Sequence, residues 1–158
     1  MRTKFCIIMF IFAAGLSGCG IGTDEPKKSK LALVKTTNPS PALLESNTEE
    51  KLDLVESIKQ DISSMKEIYD VAVLKGKKDT LVAYKVKHMY RFQMKKIEKR
   101  MSDMLEKKYK DEKFTVSSDY KIFLEAIKLN ERMKDPNFTD KKANQKLQEI
   151  IRLKQEMA

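Results

Sequence analysis

The chain has 158 residues and carries 32 Lys and Arg against 23 Asp and Glu, which gives a net charge of +9. This length excludes a large multidomain enzyme and predicts one domain, with room for a tail. A charged fraction of 35% beside 41% apolar residues favours a charge-rich helical domain over a β-sandwich.

The N-terminus has the pattern of an export signal. Arg2 and Lys4 precede a twelve-residue apolar run, residues 5–16, which is shorter than the ~20 residues that a membrane-spanning helix needs. The run ends in Leu-Ser-Gly-Cys, with the cysteine at position 19. This motif resembles the lipobox of bacterial lipoproteins, and the resemblance covers residues 1–19.

The resemblance implies cleavage after Gly18 and attachment of diacylglycerol to the Cys19 thiol. An ordinary secretory signal, or an N-terminal anchor with an incidental cysteine, is the alternative. Because Cys6 would leave with the signal peptide, residues 19–158 would keep no free thiol, and their net charge would be +7. Gly20 after the cysteine favours the outer membrane of a Gram-negative cell; a Gram-positive source would place the protein on the outer face of its plasma membrane.

Residues 19–45 are predicted to form the lipidated cysteine and a flexible tether. They contain Pro26, Pro39 and Pro41 among small polar residues and show neither a helical nor a strand period. Leu43 and Leu44 are apolar enough to dock locally.

Residues 46–158 are predicted to be all-α. One glycine, Gly76, and one proline, Pro136, occur after Lys51, and sheets need more frequent turn residues than that. The prediction is a small helical bundle of about four helices, with coiled-coil character and a long antiparallel helical hairpin.

The helical hairpin is formed by predicted helices A and B. Helix A runs from about Glu49 to Lys75 and ends at Gly76, in the position of a left-handed cap. Helix B runs from about Thr80 to Tyr109. Apolar residues recur in both at alternating spacings of three and four. The stripe of helix A is Val55, Ile58, Ile62, Met65, Tyr69 and Ala72, and that of helix B is Ala83, Val86, Tyr90, Met94, Ile97, Met101 and Met104.

Two shorter helices follow. Predicted helix C spans about Asp119 to Lys134, with Ser117 or Ser118 as its cap, and predicted helix D spans about Asp140 to Met157, capped by Thr139.

Helix C has apolar residues on two opposite sides, so it is either sandwiched between other helices or exposes a contact surface. For the second interpretation, the candidate residues for contact with a protein partner or a second copy are Ile122, Leu129 and Met133.

The basic excess lies in one part of the chain. Residues 76–113 hold 13 basic and 6 acidic residues. Within predicted helix B, a row of cations recurs at every fourth position, with His88 and Phe92 beside it; the row is Lys87, Arg91, Lys95 and Lys99. Like charges at this spacing destabilise a helix by roughly 0.2–0.5 kcal/mol per pair.

This row has two interpretations. It is either a solvated face that confers solubility, or a site for an anionic lipid, lipopolysaccharide, a teichoic polymer or an acidic protein, in which Phe92 takes part. Nucleic acid is not an expected partner, because the export signal removes the domain from the cytoplasm. The methionines of helix B are expected mainly in the core.

The sequence offers little for catalysis. His88 is the single histidine and no second ligand of the usual kind accompanies it, so we expect no metal and no cofactor. No glycine-rich phosphate loop or nucleophile motif is present. We therefore expect that the protein is not an enzyme.

The sequence thus predicts a lipid-anchored protein of the cell envelope that is not catalytic. The first hypothesis is an adaptor or accessory subunit that holds a protein partner of an envelope, secretion or conjugation assembly. The alternative is a surface protein that binds an anionic polymer or lipid through its basic helix.

Overall fold

A computed structural model describes residues 37–44 and 49–157. Within these residues the chain forms a four-stranded mixed sheet and four α-helices. The fold is therefore α/β, and the prediction of an all-α helical bundle with a helical hairpin and coiled-coil character is wrong. The compact unit Thr36–Ala158 contains both hydrophobic cores of the described chain.

The elements alternate between strands and helices along most of the chain. In order they are β1 (Ala42–Leu43), α1 (Glu49–Ser63), β2 (Ile68–Lys75), β3 (Asp79–Val86), a 3-10 helix (His88–Gln93), α2 (Met94–Lys108), β4 (Lys113–Ser117), α3 (Tyr120–Arg132) and α4 (Asp140–Glu156).

The sheet consists of two β-α-β units joined by a hairpin. Its strand order is β1-β2-β3-β4, with β1 parallel to β2 and β3 parallel to β4. The central pair, β2 and β3, is antiparallel, and its register places Ile68 opposite Val86 and Lys75 opposite Thr80. Helices α1 and α2 form the crossovers that a parallel pair requires.

Both faces of the sheet are covered. One core joins the sheet to α1 and α2, and the other joins it to α3 and α4. Successive side chains of a strand point to opposite faces, so Val71 and Val73 enter the first core, while Ala72 and Leu74 enter the second. Strands buried on both sides become continuous apolar runs instead of alternating ones.

This double burial explains why predicted helix A was too long. Helix α1 ends at Ser63, and the following residues form β2. The helical spacing that continues through Tyr69 and Ala72 is an accident of a run that is apolar at nearly every position. Gly76 lies in the hairpin turn and does not cap a helix; a Cβ there would come within 2.6 Å of Leu147 Cδ2. The turn therefore favours glycine, because a larger residue would have to displace side chains of α4 that pack against it.

Predicted helix B is also wrong in its first half. Its residues form β3 and the 3-10 helix, and only the second half is the helix α2. Two residues of the predicted stripe are buried in α2, Ile97 at 1% and Met101 at 0% exposure. Met104 is only partly buried and Met94 is 38% exposed, whereas Leu105, which the predicted stripe omits, is 0% exposed. The residues between predicted helices B and C include the strand β4.

Predicted helices C and D are present as α3 and α4. Thr139 caps α4 as predicted, by accepting a hydrogen bond from the Lys142 amide. The cap of α3 is Asp119, whose carboxylate accepts from the Lys121 and Ile122 amides at 2.7 and 3.1 Å. Helix α3 is sandwiched between the sheet and α4, which accounts for its two apolar sides.

Residues 37–44, at the end of the predicted tether, are part of the folded unit. The Leu44 side chain is 0% exposed and belongs to the core beneath α3 and α4. Side chains of three helices bind the backbone of this stretch: Lys59 donates to the Pro39 carbonyl, Asn130 to Ser40 and Asn144 to Leu44.

The start of this stretch is held by Asp70. The Asp70 carboxylate accepts hydrogen bonds from the Thr37 amide at 2.8 Å, the Thr37 hydroxyl at 2.9 Å and the Asn38 amide at 3.2 Å. It also pairs with Lys85 Nζ at 3.1 Å. Asn38 has a φ of 36°, a left-handed conformation that asparagine tolerates better than most residues.

Candidate functional site

The sheet has two ends that differ in their surface chemistry. We call the end where β2 begins and where β3 and β4 finish the basic end. The opposite end, with the turn of residues 76–78 between β2 and β3, is called the hairpin end. Among parallel strands, the carboxyl end is where loops most often build binding sites, and β3 and β4 are a parallel pair that finishes at the basic end.

The main feature of the basic end is the connection from β3 into α2, residues 87–96, which we call the basic segment. Lys87 ties its start to the loop before β2, because its amide donates to the Glu67 carbonyl at 2.9 Å and its Nζ to the Lys66 carbonyl at 2.6 Å. Tyr90 packs partly against the core of α1 and α2. The backbone of the basic segment is thus held in place at defined points.

The basic segment exposes large apolar side chains. Phe92 is 99% exposed, Met89 is 72% exposed and Met94 is 38% exposed. A 3-10 helix has three residues per turn, so Met89 and Phe92 lie on the same side of it. Exposed apolar side chains that cluster, and do not occur singly, mark contact surfaces.

Exposed cations flank these apolar residues along the basic segment. Residues 87–96 contain three lysines, one arginine and one histidine, and no carboxylate. The next carboxylate, Glu98, is occupied elsewhere: it accepts from the Ser118 hydroxyl at 3.1 Å and lies 3.6 Å from Lys154 Nζ. Within the described part of the chain, no ion pair involves Arg91, Lys95 or Lys96. Their charges therefore remain available to a ligand.

The predicted row of cations is present but not on one helix. Lys87 precedes the 3-10 helix in extended backbone, Arg91 and Phe92 lie within that helix, and Lys95 and Lys99 lie in the first turns of α2. All five side chains are exposed. They are gathered around a turn at the basic end and do not line a continuous helical face.

The exposure of Met89 and Met94 was not predicted, since the methionines of this region were expected mainly in the core. Only Met101 is buried there, at 0% exposure, and Met104 is partly buried. The available signal was the polar sequence Lys-His after Val86, which ends the apolar run of β3 and would have separated the strand from the helix.

The predicted protein-contact residues of helix C lie in or beside the core. Ile122 is 0% exposed and Leu129 is 1% exposed, and Met133 packs partly against the same cluster. Contact of α3 with a protein partner stays a prediction. The predicted lipidation site, Cys19, lies outside the described residues.

Two further features are absent from the described residues. They contain no group of three or more His, Cys, Asp or Glu side chains placed to hold a metal ion. No helix among them has the length and apolarity needed to cross a membrane. The Tyr84 side chain is fully buried, and its burial, together with the nearby Glu98 carboxylate, raises the pKa of its hydroxyl. A neutral Tyr84 is a core residue and adds no charge to the basic end.

Comparisons of the chain with protein-family models, with curated proteins and with solved structures find no match. What the domain binds is accordingly inferred from the chemistry of its surface.

Proposed function

We propose that this protein is a non-catalytic, lipid-anchored protein of the cell envelope that binds an anionic envelope component through its basic segment. The observation that carries the proposal is the set of exposed cations around Phe92 at one end of the domain, which have no ion-pair partner within the described chain. Phosphate-bearing lipid headgroups and phosphate-bearing polymers share the chemistry that this set would recognise.

The cations are numerous enough to give measurable binding. A Lys or Arg next to an anionic surface contributes about 1 kcal/mol. Arg91, Lys95 and Lys96 together would then contribute about 3 kcal/mol, which corresponds to roughly a hundredfold in affinity. A lipid anchor adds to this by raising the effective concentration of the domain at the membrane. Weak contacts are therefore sufficient for a domain that is already tethered.

The first hypothesis from the sequence, an adaptor that holds a protein partner, stays a prediction. A protein-binding domain usually offers a patch with an apolar centre and a polar rim. In the described residues the apolar side chains of the basic end stand among unpaired cations, which favours an anionic surface over a neutral protein one. For this reason we place anionic binding first.

The test compares two triple variants of equal charge. Residues 19–158 with Cys19→Ser retain the whole folded unit and carry no lipid. Replacing Arg91, Lys95 and Lys96 with Gln removes three charges from the basic end. Replacing Lys78, Lys141 and Lys142 with Gln removes three charges from the hairpin end, where the Lys77 amide binds Asn144 of α4. Binding to phosphatidylglycerol vesicles and to soluble polyphosphate is measured at low and high salt.

We expect the first variant to lose about a hundredfold in affinity at low salt, because three contacts of about 1 kcal/mol are removed. The hairpin-end variant should bind like the unsubstituted chain, and high salt should weaken both through screening. Equal losses in the two variants would contradict a localised site. Absence of salt-sensitive binding to both probes would contradict the proposed function.

A further inference from the structure

We propose that the basic end is a membrane-docking surface, in which Phe92 and Met89 enter the bilayer that carries the chain's own lipid anchor while the surrounding cations contact anionic headgroups. This inference rests on the proposed function and narrows its ligand to the surface of an anionic bilayer.

The exposed apolar side chains of the basic segment are positioned to insert among the acyl chains of a bilayer. Phe92 is 99% exposed, although a buried Phe is among the strongest sources of apolar stabilisation. The 3-10 helix brings Met89 to the same side as Phe92, and the fixed backbone of Lys87 and the partly buried Tyr90 hold that side outward. Met89 and Phe92 thus form an apolar tip among cations. Segments that lie in the interface of an anionic membrane have this arrangement.

The remaining exposed apolar side chains of the described chain lie at the same end. Tyr120, 40% exposed, is the first residue of α3 and follows directly after β4. Met157, 47% exposed, follows α4, whose Lys154 reaches Glu98 in the first turns of α2. Large hydrophobic side chains that are exposed in the described residues are thus confined to the basic end, where they can contact one surface.

The chain also enters the folded unit at the basic end. Thr37 is bonded to Asp70, and Asp70 pairs with Lys85, which is followed by Val86 at the end of β3. Eighteen residues lead from Cys19 to Thr37. Fully extended, they would span at most about 65 Å. A chain anchored at Cys19 would therefore join the folded unit at the end that carries Phe92.

A bilayer satisfies this surface better than a soluble polyanion does. A polymer of phosphates would neutralise Arg91, Lys95 and Lys96 but would leave the Phe92 ring in water. An anionic membrane presents charged headgroups within a few ångströms of acyl chains. It can therefore neutralise the cations and remove the Phe92 ring from water at the same time. The combination of side chains, more than the charge alone, selects the membrane.

The test uses the absence of tryptophan from the chain. Phe92→Trp places a single fluorophore at the proposed tip, and Lys78→Trp places one at the hairpin end as the matched control. Residues 19–158 with Cys19→Ser are titrated with phosphatidylglycerol vesicles, with phosphatidylcholine vesicles and with polyphosphate. Tryptophan emission and quenching by brominated acyl chains report insertion. A Phe92→Ser variant reports the contribution of the ring to affinity.

We expect the emission of the Phe92→Trp variant to shift to shorter wavelength and to be quenched in phosphatidylglycerol vesicles, with no change for the Lys78→Trp variant. Phe92→Ser should lower vesicle affinity roughly 10–100-fold and leave polyphosphate binding unchanged, since a buried Phe contributes about 1.5–3 kcal/mol. Because the Phe92 ring is almost fully exposed, this variant should unfold at the same urea concentration as the unsubstituted chain.

Two results would overturn the inference while the proposed function stands. One is vesicle binding in which the fluorophore of the Phe92→Trp variant stays in a water-like environment, and the other is binding to polyphosphate with none to the vesicles. Failure to bind any anionic probe would overturn both proposals. Strong binding to phosphatidylcholine, unaffected by salt, would show an apolar contact without the electrostatic one and would also contradict the docking surface.

Discussion

At the scale of single residues, Asp70 is the polar side chain that holds the point where the chain enters the folded unit. Its carboxylate is 0% exposed, whereas the Lys85 side chain opposite is 14% exposed. Lys85 Nζ also lies over the rings of Tyr69 and Phe123, 4.9 and 4.6 Å from their centroids. A buried charge pair of this kind stabilises little by itself, but loss of one partner leaves the other charge unpaired.

We therefore expect Asp70→Asn to destabilise the domain by about 2–4 kcal/mol, because it removes the charge that Lys85 pairs with and weakens the acceptor for Thr37 and Asn38. Urea unfolding measures this. Asp103→Asn, on the exposed side of α2, is the matched control and should change stability by less than about 0.5 kcal/mol. An equally small effect at Asp70 would show that residues 37–41 do not depend on this carboxylate.

Part of the candidate site could be predicted from single residues of the sequence. Phe92 among lysines was recognisable as an unusual neighbour, and the structure places it at full exposure. The sequence left open whether Ile122 and Leu129 are buried or exposed, because helix C has apolar residues on both sides and only the sheet and α4 decide which neighbours cover them.

At the scale of elements, the prediction failed at the two central strands and succeeded at the last two helices. Residues 71–74 and 81–84 are apolar without interruption, and such runs show neither period clearly. Their β-branched valines and the glycine between them favour a hairpin, but the spacing of neighbouring apolar residues happened to suit a helix. Helices α3 and α4 each have polar residues on their solvent side, so their period and caps were visible.

A contact between the start of β2 and α2 should make the stability of the domain depend on pH under acid conditions. Arg100 on α2 binds the buried Glu67 carboxylate at the start of β2 at 2.8 Å. This hydrogen bond holds the pKa of Glu67 below its usual value, against the opposing effect of burial. Because the pKa of Glu67 is lower in the folded protein than in the unfolded chain, its ionised carboxylate stabilises the fold at pH values above the unfolded-state pKa. That stabilisation is lost as the pH falls through the folded-state pKa.

We expect the difference in stability between the unsubstituted chain and Glu67→Gln to be largest near pH 6 and to narrow towards pH 3, as the native carboxylate becomes protonated. Urea midpoints across this range measure it. Glu131→Gln breaks an exposed pair with Lys134, whose partners are 62% and 69% exposed, and should change the midpoint little at any pH. A difference for Glu67→Gln that stays constant with pH would show that the pair is not titrating.

At the scale of the whole folded unit, the domain is polarised. Within the described residues, the exposed apolar side chains, the unpaired cations of the basic segment and the entry of the chain share the basic end, whereas the hairpin end is closed by the packing of α4 against Gly76. If the chain is anchored as we propose, this arrangement would turn the basic end toward the membrane. The anchor is a prediction from the lipobox resemblance, and Cys19 lies outside the described residues.

Labelling cells with a fatty-acid analogue tests that anchor. We expect the full chain and its Cys6→Ser variant to be labelled, since Cys6 would be removed with the signal peptide, and Cys19→Ser to lose the label and to leave the detergent phase. The sulfur of Cys19 carries the lipid in the proposed chemistry, so a serine at this position cannot be lipidated in the same way. Label retained in Cys19→Ser, or lost in Cys6→Ser, would contradict lipidation at Cys19.

The sequence by itself determined the features that depend on neighbouring residues. These are the export-signal pattern with its cysteine motif, the concentration of charge in residues 76–113, the two C-terminal helices and the position of Phe92 among cations. Each is readable because a signal pattern, a cap or an amphipathic period is local.

Only the tertiary structure decided that residues 68–86 form a hairpin, that Phe92 faces solvent and that the chain enters beside it. Burial depends on what covers each face, and two helices cover each side of this sheet. Contacts between residues more than thirty positions apart, such as Thr37 with Asp70, carry no local sequence pattern. They gather the entry point and the basic segment at one end of the folded unit.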